Sequence, residues 1–391
     1  MNLKKLFYLV FIIVFSILLF NRLSVLSYSL MEGYQINNLY YIISIIILLL
    51  LSFIGVSMHK DINIVSGKNL YKSLLLFMSY IYIVSLVNST YRPLNGLLYL
   101  SLLLPIPFFV YTIKATTLNC LNYFNLWSFI CLCLCIITYI SYQTRVSYFG
   151  NQVATNSSYI ILLMYPLVLN SSNKILKIVI TIITAFLLLF SLKRTGILSY
   201  IIVLFVYYMI NTQMNKKRNL FLLFVVLFIT LLLFHYLFDY VDGTVGNLLS
   251  DKFDSMKTGD SSDRDIVYAQ VIQMIIQSDI VELFFGHGWD SVILDNPLGL
   301  SAHNDFLEIT YDTGFVGLII YIYLFYTLIK YALHLYKLKS KYAASFSASI
   351  LIFFFFSLSS HIIIYTYMFM IIIYFWAMII GTENCNNNKY K

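Results

Sequence analysis

The sequence predicts an all-α, polytopic integral membrane protein, with about twelve transmembrane helices and one long extracytoplasmic loop containing short helices. Three observations carry this expectation. The chain is 60% hydrophobic and 11% charged, with a mean hydropathy of +0.83, whereas soluble domains are about 25% charged. Apolar runs long enough to cross a bilayer, about 20 residues each, recur along its length. These runs are continuous rather than alternating at period two, which excludes a transmembrane β-barrel.

The expected spans are 6–27, 38–58, 70–88, 95–113, 124–142, 155–171, 175–192, 195–212, 219–238, 313–334, 343–361 and 363–381. The first follows Lys4 and Lys5 as a secretory signal would. Asn21-Arg22-Leu23 then continues into apolar sequence without a small-residue cleavage site, so an uncleaved helix is expected. With the N-terminus cytoplasmic, the basic residues outside are Arg22, Arg92, Arg145, Lys193, Arg194, Lys252, Lys257 and Arg264. That leaves 17 of the 25 inside, nearly all in short loops. This split obeys the positive-inside rule, places both termini in the cytoplasm, and accounts for the formal charge of +8 without nucleic acid.

Among the arginines only Arg218 is inside. A guanidinium grips phosphate through two parallel hydrogen bonds. The bias therefore reads either as chance in a small set or as an outward-facing site for a phosphorylated ligand. The spans carry almost no Lys, Arg, Asp or Glu near their centres, and no repeat relates the two halves. Both features weigh against an ion-coupled transporter. Cys131, Cys133 and Cys135 form a C-x-C-x-C run inside an apolar span, where a metal would lack polar surroundings. With Cys120 and Cys385 they predict no disulfide framework.

The chain is expected to form a single transmembrane domain, 1–391, with residues 239–312 as its extracytoplasmic loop. Connections beyond about 15 residues are usually functional or disordered. Asp251 to Asp263 is polar and turn-rich, but its carboxylates do not follow EF-hand spacing. From Arg264 to Gln277, the apolar residues Ile266, Val267, Val271, Ile272, Met274 and Ile275 supply one helical face, with Ser262 or Asp263 as N-cap. Arg264 then sits in a first turn that favours anions, or pairs with a local carboxylate. Gly286-His287-Gly288 marks a tight turn in which His287 is expected to be incidental.

The densest polar chemistry closes the loop. Ser301 is expected to cap a helix running from His303 into the tenth span. Asp305, Glu308 and Asp312, at i, i+3 and i+7, share one face, which is either solvated or able to ligate a divalent metal. Gly314 and Gly317 allow close helix packing. His303 has the ordinary pKa suited to proton transfer near neutrality, although a lone interfacial histidine is also a common structural residue. On the same side, Ser191-Leu192-Lys193-Arg194-Thr195-Gly196 places two cations at the lipid boundary, to snorkel or to meet phosphate. Arg145 to Asn156 is a further outer-face polar segment.

Together, Ser191 and Arg194 before a span, Arg264 opening the loop helix, Gly286-x-Gly288, His303-Asn304 with Leu307-Glu308, and Gly314-x-x-Gly317 resemble the bacterial O-antigen polymerase and O-antigen ligase superfamily of membrane glycosyltransferases. Members more often place serine directly before the arginine, whereas Leu192 and Lys193 intervene here. The resemblance implies a transferase acting at the outer face of the bacterial cytoplasmic membrane, with an undecaprenyl-diphosphate-linked glycan as donor and neither metal nor other cofactor. Arg194 and Arg264 would bind the diphosphate, with Arg145 and Lys193 assisting. His303 would serve as general base, and Asn304, Asp305 or Glu308 would orient it or the acceptor. A polymerase in O-antigen or capsule synthesis, working on a second lipid-linked repeat unit and alongside a chain-length regulator, is the leading expectation. A ligase transferring to lipid A-core is the alternative, and a lipid-linked oligosaccharide flippase the reading from another class.

Overall fold

The computed structural model describes residues 3–28, 38–59, 66–88, 96–119, 123–149, 157–191, 193–215 and 264–389. The expected span 219–238, the loop segment 239–263 and the Gly150–Asn156 segment lie outside the described residues. Among the described residues the chain is all-helical and holds no strand. The helices are α1 (Leu3–Tyr28), α2 (Asn38–Met58), α3 (Lys68–Val87), α4 (Gly96–Leu103), α5 (Pro105–Asn119), α6 (Phe124–Phe149), α7 (Ser157–Leu169), α8 (Lys174–Phe190) and α9 (Arg194–Asn215). Three short helices follow: α10 (Arg264–Gln277), α11 (Ile280–Phe285) and α12 (Ser291–Asp295). The chain ends with α13 (Asp305–Lys337), α14 (Ala343–Ser359) and α15 (Thr366–Lys389).

Among the described residues, seven segments are long and apolar enough to cross a membrane: Leu3–Val25, Leu39–Met58, Lys68–Val87, Leu100–Leu118, Phe124–Thr144, Asp305–Lys337 and Thr366–Asn386. Three shorter apolar helices, Ser157–Leu169, Thr195–Asn211 and Ala343–Ser359, fall on further expected spans. The expected span 95–113 is two helices rather than one, broken at Leu104. Pro105 and Pro107 explain the break, since proline restricts the residue before it and is tolerated only in a helix's first turn.

The core is built around α15, whose residues Met368 to Ile380 are all buried. It packs chiefly against α5 and also against α7, α14 and α1. Polar tips inside this core are paired: the Trp127 indole donates to the Tyr374 hydroxyl at 2.9 Å, Tyr8 and Tyr374 share a hydroxyl–hydroxyl bond at 2.9 Å, and the Trp376 indole donates to Ser349 at 2.9 Å. A buried indole or phenol without such a partner would be costly. Arg22 lies over the Tyr41 ring at 3.2 Å, so its cation is spent on helix packing. Helices at the margin instead present apolar side chains outward, as Leu50 and Phe53 of α2 do, which is the arrangement that lipid favours. Cys131, Cys133 and Cys135 are free thiols within α6. Against the expectation of no disulfides, Cys385 is disulfide-bonded.

The short helices pack on the beginning of α13. Helix α10 coincides with the expected Arg264–Gln277 helix and buries Val267, Val271 and Met274. Helix α11 opens with a capping box, in which Asp279 accepts from the Glu282 amide at 2.8 Å and Glu282 accepts from the Asp279 amide at 3.2 Å. Helix α13 is broken at Gly314, whose φ of 69° leaves the helical region. The break separates a first stretch, 305–313, from the longer apolar stretch that follows.

Candidate functional site

The site is organised by the first stretch of α13. The helix cap is Asn304 rather than the expected Ser301: its side-chain oxygen accepts from the amides of Phe306 at 2.9 Å and Leu307 at 3.3 Å. His303, just before it, has a φ of 50°, outside the helix. The Ser301 hydroxyl is engaged elsewhere, 3.1 Å from Nδ1 of His361.

Asp305, Glu308 and Asp312 share one face as the spacing predicts, but that face is buried rather than solvated. Each carboxylate holds a different stretch of chain. Asp305 accepts from the Ile362 amide at 3.2 Å and lies 3.3 Å from the Tyr321 hydroxyl, which is paired with Ser357 at 2.6 Å. Glu308 accepts from the Ala302 amide at 2.7 Å through Oε2, while its buried Oε1 has no hydrogen-bond partner among the described residues. Asp312 accepts from the amides of Asp290, Ser291 and Val292 at 2.8, 3.0 and 3.1 Å, closing the N-terminus of α12. Carboxylates bonded to several backbone N–H groups are strong anchors. Among the described residues, no group of three or more His, Cys, Asp or Glu is placed to hold a metal ion.

These anchors bring His303 and His361 together. Their rings stack with centroids 4.7 Å apart and planes 24° apart. His361, from the connection between α14 and α15, is 4% exposed and also meets the Tyr365 ring at 4.7 Å. Tyr268 of α10 places its hydroxyl 3.4 Å from the carbonyls of both His303 and Leu358.

Two cations from other elements bear on this pair. Burial first, then the Arg264 guanidinium and the Lys193 ammonium, hold the His303 imidazole below the ordinary histidine range. Burial, His303, Arg264 and Lys193 together push His361 down to about 3. Both rings are therefore neutral at pH 7. Arg264 is the first residue of α10. Lys193 lies in the turn between α8 and α9, with its ammonium 6.0 Å from the Tyr159 ring of α7. Helix α9 approaches Tyr159 closely at Gly196, where a Cβ would lie 3.0 Å from a Leu188 methyl and 3.2 Å from the Tyr159 ring.

The structure thus brings His303, Arg264, Lys193, Asn304, Asp305 and Glu308 around one locality. Arg194 is the first residue of α9 and Arg145 lies in the last turns of α6; the side chains of both are outside the described residues. Ser191 is fully buried with its hydroxyl donated to the Leu188 carbonyl at 2.7 Å, so it ends α8. His287, expected to be incidental, instead packs the loop, stacked on Tyr311 at 4.1 Å and bonded to Ser278 at 2.8 Å. Sequence reasoning missed His361, Tyr268 and Tyr159. For His361 the available signal was parity, because it ends the eleventh expected span, 343–361, on the same expected side as His303.

Among the described residues the chain is all-helical, with several helices long and apolar enough to cross a membrane and a cluster of imidazoles and cations at one helix end, the form of a multi-pass membrane protein with one polar site. Residues 179–322 match the family model described as O-Antigen ligase, a span that contains Lys193, Arg194, Arg264 and His303. The match supports the O-antigen ligase and polymerase superfamily, a membrane glycosyltransferase-like enzyme family of the bacterial inner membrane. No curated protein matches the chain.

Proposed function

We propose that this protein is a polysaccharide polymerase that transfers an undecaprenyl-diphosphate-linked glycan to another lipid-linked repeat unit at the outer face of the cytoplasmic membrane. The observation that carries the reading is that Arg264 and Lys193, from separate elements, both bear electrostatically on His303. A cationic pocket beside a neutral imidazole is what departure of a diphosphate and deprotonation of a sugar hydroxyl require together.

In this mechanism the acceptor hydroxyl attacks the anomeric carbon of the donor and gives its proton to His303. The bond from that carbon to the diphosphate oxygen breaks, and undecaprenyl diphosphate departs with the electron pair. Arg264, Arg194, Lys193 and Arg145 bind the diphosphate and stabilise its growing charge. General-base help of this kind is worth about 10²–10⁴-fold. Asn304 fixes the backbone after His303, and Asp305 holds the segment behind it. Glu308 accepts from the Ala302 amide through Oε2 and so fixes the stretch of chain that leads into the base. The proposed topology has twelve spans, cytoplasmic termini and residues 239–312 as the outer loop of a single domain. A chain-length regulator is the natural protein partner.

The second reading is a ligase transferring to lipid A-core, the activity after which the matching family model is described. Gene deletion followed by glycan electrophoresis separates the readings. A single repeat on the core supports the polymerase. Bare core with accumulating lipid-linked polymer supports the ligase, and retention of units on the cytoplasmic side points to a flippase and overturns both.

A further inference from the structure

His361 is absorbed by none of the roles above, yet it is the best-fixed group beside the proposed base. Residues on both sides of His303 hold it: Ser301 bonds its ring, and Asp305 accepts the amide of Ile362 next to it. Its ring lies against that of His303 at 4.7 Å and is nearly parallel. His361 is 4% exposed, whereas His303 is only partly buried. A proton arriving from outside therefore meets His303 first. Two stacked imidazoles cannot both carry charge at this distance without strong repulsion.

We propose that His361 is a positioning residue for His303: its ring, fixed by Ser301, backs the His303 imidazole and offers a neutral aromatic face to the imidazolium as it forms. This rests on the reading of His303 as general base. The groups facing the pair are Arg264 from α10, Lys193 from the α8–α9 turn and Tyr365 from the same connection as His361, with the Tyr268 hydroxyl on the His303 carbonyl. Both cations favour neutral rings, so the aromatic backing is what remains to receive the positive form. A flat ring over a cation is attractive when desolvated.

The test uses the full-length protein with His361→Ala, His361→Phe and His361→Gln. Phenylalanine keeps the flat ring and loses the Ser301 bond; glutamine keeps a polar partner for Ser301 and loses the ring. Two quantities are read: polymer on a glycan gel in the deletion strain, and the His303 titration midpoint by ring NMR in detergent, assigned with His303→Ala. Polymer is expected to fall about 10-fold or more in the Ala and Gln variants and to stay within about threefold of wild type in Phe, since small misplacements of a reacting group cost up to about 10²-fold. The His303 midpoint should fall further in the Ala variant, which loses the ring that stabilises the imidazolium, and stay at the wild-type value in Phe; a rise in Ala would overturn the backing role. Rescue by Gln but not Phe, or wild-type polymer and midpoint in all three variants, overturns the proposal. His303→Ala is the control for the underlying reading. Undiminished polymer there removes the base itself, whereas loss there with unaffected His361 variants removes only the positioning role.

Discussion

Gly286 and Gly314 each sit where the other's neighbouring backbone leaves no room for a side chain. A Cβ on Gly286 would collide with the Asp312 carbonyl and the Thr313 backbone, and one on Gly314 with the carbonyl of Phe284 and the amide nitrogen of Phe285. Both glycines have positive φ, 82° and 69°. The Gly288 amide completes the lock by donating to the Asp312 carbonyl at 2.8 Å. Alanine at either position meets strained backbone, at about 1–3 kcal/mol, in addition to the collision. Gly286→Ala and Gly314→Ala should each lower membrane protein level and the melting temperature in detergent. A melting temperature equal to wild type in both would show that the interlock does not form.

Asp312 closes the same joint from the side-chain direction, with three backbone amides on one carboxylate. Asp312→Ala leaves those donors buried and unpaired, at a cost of about 3 kcal/mol or more. The expected result is a thermal destabilisation larger than that of Asp295→Ala, whose carboxylate accepts a bond from the Tyr311 hydroxyl at 2.7 Å. Equal stability of the two variants would contradict the anchoring role.

The pH dependence follows from the sign of the His303 shift. Burial, Arg264 and Lys193 all favour the neutral ring, so the proposed base stays available below the ordinary histidine midpoint of about 6.5. Arg264→Gln removes one positive charge, raises the His303 midpoint, and moves the acidic limb of the activity profile upward. The variant should therefore lose proportionally more activity at pH 6 than at pH 8. A uniform loss across that range would assign Arg264 to binding alone.

His303→Ala should abolish long-chain polysaccharide at unchanged protein level. Near-normal chains on a gel would take His303 out of the mechanism. Arg194→Lys keeps the charge but loses the two-pronged grip on phosphate. Reduced polymer is expected, and full activity would leave Arg194 a purely interfacial role.

The helices were legible because lipid demands continuous apolar runs, and α10 was legible because its apolar spacing is complete between Arg264 and Gln277. The break at Leu104 was readable from Pro105 and Pro107, but hydropathy carried the expectation across it. Ser301 was expected as a cap because serine and asparagine cap equally well; the choice of Asn304 depends on His303 leaving the helical region, a tertiary effect. The burial of Asp305, Glu308 and Asp312 depends on amides from residues 362, 302 and 290–292. No local pattern announces that Asp305 meets residue 362 or that Asp312 meets residues 290–292. His361 was overlooked for the same reason, since its value lies in what it stacks against.

The discontinuity at Gly314 gives the lower length of α13 an axis of its own. Membranes differ in thickness, and a long crossing segment adapts by leaning. The upper length is tethered to α11 and α12 and not only to the segment below it. A lean of the lower length would thus turn at Gly314, beneath the anchored stretch that carries Asp305, Glu308 and Asp312.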